Sequence, residues 1–143
     1  MLTHVVFRSD AFPPYASEAD QVNPGRYGKR LAEFIASSLP GQGEAVAEIF
    51  PEDWGWVVPI EHPAFSLWIG VGNDEDSPNG FLCFIEPSKP VIRRFPKLWA
   101  PIHTAERVST LQRALDTVLR SHPEIGEITW WTHAQFNAPG GDA

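Results

Sequence analysis

The sequence predicts an α+β fold: a single-domain, two-layer sandwich in which a mainly antiparallel five- or six-stranded sheet carries two helices on one face. Three observations predict it. Two segments repeat apolar residues at helical spacing. Between them lie short runs rich in Val, Ile, Phe and Trp, separated by Pro-, Asn- and Asp-containing turns, with no convincing helix inside that stretch. Six tryptophans are present in 143 residues, and five of them fall in strand-like runs. A chain of this length buries roughly 70% of its unfolded surface and needs no staples. One domain is expected over residues 1–136, with a disordered tail over 137–143.

Taken in order, residues 3–8 (Thr-His-Val-Val-Phe-Arg) read as a strand, and a polar, Pro-containing connection follows from Ser9 to Val22. Long ordered loops of this kind often carry function. Helix one is signalled by Asn23 as N-cap and Pro24 at the first helical position. Tyr27, Leu31, Phe34, Ile35 and Leu39 form its apolar stripe, and Pro40-Gly41 ends it. Five strand-like runs come next: 45–50, 54–60, 65–71, 80–86 and 91–95. Helix two starts after Thr104, presents Val108, Leu111, Leu115, Val118 and Leu119 on one side, and stops near His122-Pro123. A last strand is expected over 127–132. Each helix has a single apolar stripe, so one face of the sheet is left for loops, a second subunit or a partner to cover.

Composition bounds the class of function. With 43% hydrophobic and 20% charged residues the chain reads as an ordinary globular domain. A net charge of −7 argues against nucleic acid as a partner, because phosphate contacts require a basic surface. The N-terminal run has no basic region and is too short for a signal peptide, and no segment approaches 18 apolar residues, so the sequence reads as a protein that is neither secreted nor membrane-spanning, with no membrane partner expected. The single cysteine, Cys83, sits in the apolar run Phe-Leu-Cys-Phe-Ile, where it reads as a small buried hydrophobe. A cytoplasmic location fits.

Several stretches, Phe12–Tyr15, Asn23–Leu31, Pro51–Trp56, Leu67–Gly72 and Phe81–Pro87, together resemble a group of small bacterial proteins that carry a domain of unknown function. The likeness runs over most of the chain. It implies a bacterial cytoplasmic protein and transfers no activity, so no catalytic residue is assigned on its account.

Two places hold the candidate binding residues. Arg26, Lys29 and Arg30 crowd the start of helix one, where the macrodipole and free N–H groups favour anions. Either Glu52, Asp53 or Asp10 folds over this end and pairs with the arginines, or Arg26 and Arg30 converge with the helix N-terminus on the carboxylate or phosphate of a small anionic ligand. The second place is Pro51-Glu52-Asp53-Trp54-Gly55-Trp56, in which strand alternation sets Trp54 and Trp56 on one face. Trp130 and Trp131 point to opposite faces by the same rule. Trp54, Trp56, Trp68 and Trp131 are the aromatics expected to form a contact surface, with Asp53 in its acidic rim.

Other chemistry is weakly signalled. The five histidines show no metal-ligand spacing, and no metal site or cofactor is expected. Gly70-Val71-Gly72 lies in a strand and opens no helix, so it reads as close backbone approach and not as a phosphate loop. Lys89, Arg93, Arg94 and Lys97, with Trp99 beside them, read as a charged, protected sheet edge. Two functions remain: a non-catalytic protein-binding module of the immunity or inhibitor kind, or self-association, through an aromatic sheet face with acidic loops; and a small-molecule-binding domain or small enzyme whose anion-accepting pocket lies between helix one and the Trp54/Trp56 strand.

Overall fold

The computed structural model describes residues 1–138. Six strands form one sheet: β1 (Leu2–Ser9), β2 (Phe50–Glu52), β3 (Gly55–Ile60), β4 (Leu67–Asn73), β5 (Gly80–Glu86) and β8 (Ile125–Thr132), in the order β2-β3-β4-β5-β1-β8 with every pairing antiparallel. The register explains the core. Val71 pairs with Cys83 and Cys83 with Val5, so these residues share a face, and with Val58, Ile69, Phe81, Ile85 and Phe7 they are buried on it.

Both main helices pack on that face, as their single stripes require. α1 (Lys29–Ser38) buries Leu31, Ala32 and Ile35, and Phe34 is half-buried. α2 (Ala105–Ser121) follows Thr104 and buries Val108, Leu111, Leu115, Val118 and Leu119 in the same cluster. Two ties lock this layer. Arg107 of α2 forms a two-pronged ion pair with Glu44, which is almost fully buried, and the Trp130 Nε1–H donates to Asp116 Oδ1 at 2.9 Å.

Several expected boundaries move, each for a local reason. Asn23-Pro24-Gly25-Arg26 is a turn, closed by Arg26 N–H on Asn23 O at 3.0 Å, and the helix begins only after Gly28. Pro24 suits the second position of a turn as well as the first position of a helix. Residues 45–50 make no full strand. Pro59 in β3 has no N–H to donate, so that edge is held by one bridge between Val46 and Ile60, made of Ala47 N–H on Pro59 O at 3.0 Å and Glu61 N–H on Ala45 O at 2.8 Å. The run 91–95 leaves the sheet, because both edges of β5 are already taken by β4 and β1. Only β6 (Val91–Ile92) forms, pairing with β7 (Ile102–His103) in a separate ribbon.

The C-terminal end holds one more element than expected. A short helix, α3 (His133–Asn137), starts from a capping box in which Thr132 accepts the Gln135 N–H and the Gln135 side chain accepts the Thr132 N–H. Structure therefore reaches at least Asn137, one residue past the expected domain end. The rest of the expected tail, from residue 139, lies outside the described residues.

Candidate functional site

The sheet face away from α1 and α2 carries an aromatic cluster. Its position is set by the turn between β2 and β3. Glu52 pairs with Gly55, which leaves Asp53 and Trp54 as the two loop residues of a hairpin. A Cβ on Gly55 would lie 2.3 Å from the Val71 carbonyl oxygen, so only glycine lets the hairpin press against β4 there. The expectation that Trp54 and Trp56 share a face is corrected by this turn, since strand alternation does not extend through a loop residue. Trp56 is buried under the helices, and Trp54 lies on the opposite face against Trp68 and Phe84, with ring centroids 6.2 and 5.2 Å away.

A second glycine completes the cluster. Phe84 is the cross-strand partner of Gly70, and a Cβ at Gly70 would meet the Phe84 ring at 2.3 Å. The bare backbone lets this ring lie over β4, edge-on to Trp68 at 5.6 Å. Beside the cluster is an apolar cleft of about 500 Å³, walled by Phe50, Trp54, Pro59, Trp68, Glu52 and His62. Its lining holds one carboxylate and no lysine or arginine.

Cross-strand pairing continues from Phe84 to His4 and from His4 to Trp131. Trp131 is half-buried and lies three strand spacings from β4, roughly 14 Å. Between it and the cleft α3 covers the sheet: Phe136 stacks on His4 at 4.7 Å, and His133 lies 5.5 Å from the same ring. Of the expected aromatic surface, Trp54 and Trp68 come together, Trp131 stands apart and Trp56 belongs to the core. Burial, reinforced by the neighbouring His133, holds the His4 imidazole down to about 4.

The start of α1 is occupied by the chain itself. Glu18, in a 3₁₀ turn over Glu18–Asp20 of the long first connection, is only 2% exposed. Its Oε2 accepts the N–H groups of Gly28 at 2.7 Å and Lys29 at 2.9 Å and the Trp56 Nε1–H at 2.9 Å, and its Oε1 accepts the Tyr15 N–H at 3.0 Å. Glu18 thus meets the N–H groups of this helix end, and the carboxylate that pairs with an arginine there is Glu75 on Arg26, in place of Glu52, Asp53 or Asp10. The Glu18 carboxylate takes those N–H groups, and a space of about 590 Å³ stays open between α1 and the β2–β3 hairpin, lined by Lys29, Glu33, Glu48 and Trp56.

The two arginines take other partners, and Lys29 borders the open space. Arg26 donates through Nε to Trp54 O at 3.1 Å and pairs through Nη1 with Glu75 at 3.1 Å. Arg30 donates to Pro13 O at 3.0 Å and lies over the Tyr15 ring at 4.0 Å, while Lys29 Nζ sits 5.1 Å from the Trp56 ring. Asp53 is exposed in its turn, and its carbonyl accepts the Asn23 N–H at 2.9 Å.

Among the described residues no three His, Cys, Asp or Glu side chains are grouped to hold a metal ion, and no helix is long and apolar enough to cross a membrane. Cys83 is fully buried, and burial pushes its thiol far up, which removes it as a nucleophile. Sequence reasoning missed Glu18, Phe84, His4 and α3. Only α3 had a local signal, the Thr132-x-x-Gln135 capping box ahead of Phe136. The chain matches no protein-family model, and no curated protein or solved structure shows significant similarity to it.

Proposed function

We propose that the protein is a non-catalytic protein-binding module, of the kind that immunity and inhibitor proteins represent, which receives an apolar anchor of its partner in the cleft walled by Trp54 and Trp68. One observation carries this reading: two half-buried indoles stand beside a 500 Å³ apolar cleft on a sheet face that α1 and α2 leave uncovered. Aromatic side chains at the centre of a recessed, mostly apolar patch are where interface energy concentrates. Glu52 in the wall and exposed Asp53 and Glu61 beside it favour an anchor flanked by cations. In the same reading the protein works in the bacterial cytoplasm, where a lone buried thiol and a net charge of −7 suit a soluble binding partner.

The volume of the cleft also favours a second reading, a small aromatic or apolar ligand, since such sites span about 300–1,000 Å³. Selection from a displayed peptide library, followed by titration of the winners into wild type and a Trp54→Ala/Trp68→Ala variant, separates the two. The module reading expects peptides with an aromatic or aliphatic anchor next to Lys or Arg, weakened at least about tenfold in the variant. Affinity unchanged by the variant refutes the site. Thermal shifts from small aromatics, with no peptide selected, transfer the cleft to the second reading.

A further inference from the structure

The segment after β5 is the largest exposed apolar feature outside the cleft. All nine residues from Arg93 to Pro101 are exposed, and among them Phe95 is 87%, Trp99 75% and Leu98 52% exposed. Cations alternate with these apolar groups. Lys89, Arg93, Arg94 and Lys97 have no carboxylate between them or anywhere from residue 87 to residue 105, in a chain whose net charge is −7. Among the described residues the ion pairs use Arg8, Arg26, Arg107 and Arg120, so the four cations of this loop are unpaired. The expected protected sheet edge is instead a projecting loop, held at its base by the β6–β7 ribbon and by the Thr104 hydroxyl on the Lys89 carbonyl.

Loop and cleft are complementary in kind. The loop is convex, aromatic and cationic; the cleft is recessed, aromatic, and lined by a carboxylate with no cation. They also sit at one end of the sheet, because Glu86, the last residue of β5 and the point from which the loop departs, is the cross-strand neighbour of Trp68. The loop does not line its own cleft. We infer that a second copy of this chain fills the cleft, its Phe95–Trp99 loop docking against the wall formed by Trp54 and Trp68, with the two copies doing so reciprocally about a two-fold axis. The inference rests on the reading of the cleft as a protein-docking site, and any foreign partner competes with the second copy for it. Both features lying at one end of the sheet is what a reciprocal, closed contact requires; a one-way contact would propagate. Each large aromatic carries roughly 150–250 Å². Phe95 and Trp99 of two loops bring roughly 600–1,000 Å², and with the half-buried Trp54 and Trp68 walls the contact comes to about 1,200 Å², the lower end for a specific interface.

Sedimentation and light scattering over a concentration series test it. Wild type is expected to double in mass, with affinity falling as salt rises. Loop variant Arg93→Glu/Lys97→Glu/Trp99→Ala and cleft variant Trp54→Ala/Trp68→Ala should each stay monomeric where wild type is dimeric, a loss of at least about tenfold. Mixed in equal amounts they should re-form a dimer, since one supplies an intact cleft and the other an intact loop. Far-UV circular dichroism of each variant verifies that it is folded, and a variant that fails this check is replaced by the single change Trp99→Ser or Trp68→Ser. A wild type that stays monomeric throughout overturns the inference, as does a dimer that survives either variant. Flotation of that monomer with phosphatidylglycerol vesicles would assign the loop to a lipid surface instead. Library peptides that still bind the cleft of a monomeric wild type would sink this inference and leave the docking reading standing.

Discussion

Replacing Glu18 by Ala should cost a large part of the protein's stability, although the residue is one carboxylate in a surface-crossing connection. Its two oxygens accept four N–H donors, of which Gly28 N–H and Trp56 Nε1–H are fully buried and Tyr15 and Lys29 N–H are partly so. Truncation strands the two dry donors at about 1–3 kcal/mol each, while water reaches the other two, so a loss on the order of 3–5 kcal/mol follows. The carboxylate also faces the positive end of α1, which adds a fraction of a kcal/mol to the loss. Glu18→Gln should lose less, about 1–2 kcal/mol. Its carbonyl oxygen can keep the three donors on Oε2, but its NH2 then opposes the Tyr15 N–H. Urea unfolding followed by tryptophan emission and far-UV circular dichroism measures both, with the slope expected to stay constant. A small carboxylate should enter the space left in Glu18→Ala, so acetate should raise the midpoint of the variant and leave wild type unmoved. A Glu18→Ala variant within about 1 kcal/mol of wild type, or one indifferent to acetate, would refute the view that this side chain completes the helix start.

Other consequences are open to measurement. Arg107→Met leaves Glu44 buried without its partner and should cost about 3 kcal/mol in urea unfolding, with much of it recovered in Glu44→Gln/Arg107→Met; equal losses in both would show that the pair is not the cause. His4 is held neutral, from 6.5 down to about 4, so its contribution is complete above pH 6.5 and drains away as pH falls toward 4, to a ceiling of roughly 3 kcal/mol. Comparing the stability of wild type and His4→Phe at pH 7 and pH 4.5 isolates this from the carboxylates, and parallel pH profiles would disprove it. Gly70→Ala drives a methyl into the Phe84 ring and should destabilise by about 1–3 kcal/mol while altering the near-UV circular dichroism of the Trp54–Trp68 cluster; an unchanged aromatic signal would count against the packing described.

The features that local physics decides were legible from residue order. Leu31 and Ile35, or Val108, Leu111, Leu115 and Val118, recur at a spacing that leaves a helix one face to bury, so two helices on one side of an antiparallel sheet followed from periodicity. Gly80–Glu86 was bounded correctly because an apolar run between turn residues is itself a strand signal. The misplaced features depend on partners distant in sequence. Whether Pro24 opens a helix or a turn was settled by Asn23 docking on Asp53, and residues 91–95 left the sheet because β5 already had two neighbours. Trp54 and Trp56 parted because Gly55 closes on the backbone of β4, a contact that no count along one strand contains. The cationic start of helix one was read correctly as a demand for an anion, since the free N–H groups of a helix end make that demand in any sequence. Which anion meets it was decided by the tertiary fold alone, because the first connection must cross the α1 end to bring the Glu18 carboxylate within hydrogen-bond reach of the Trp56 indole 38 residues further along.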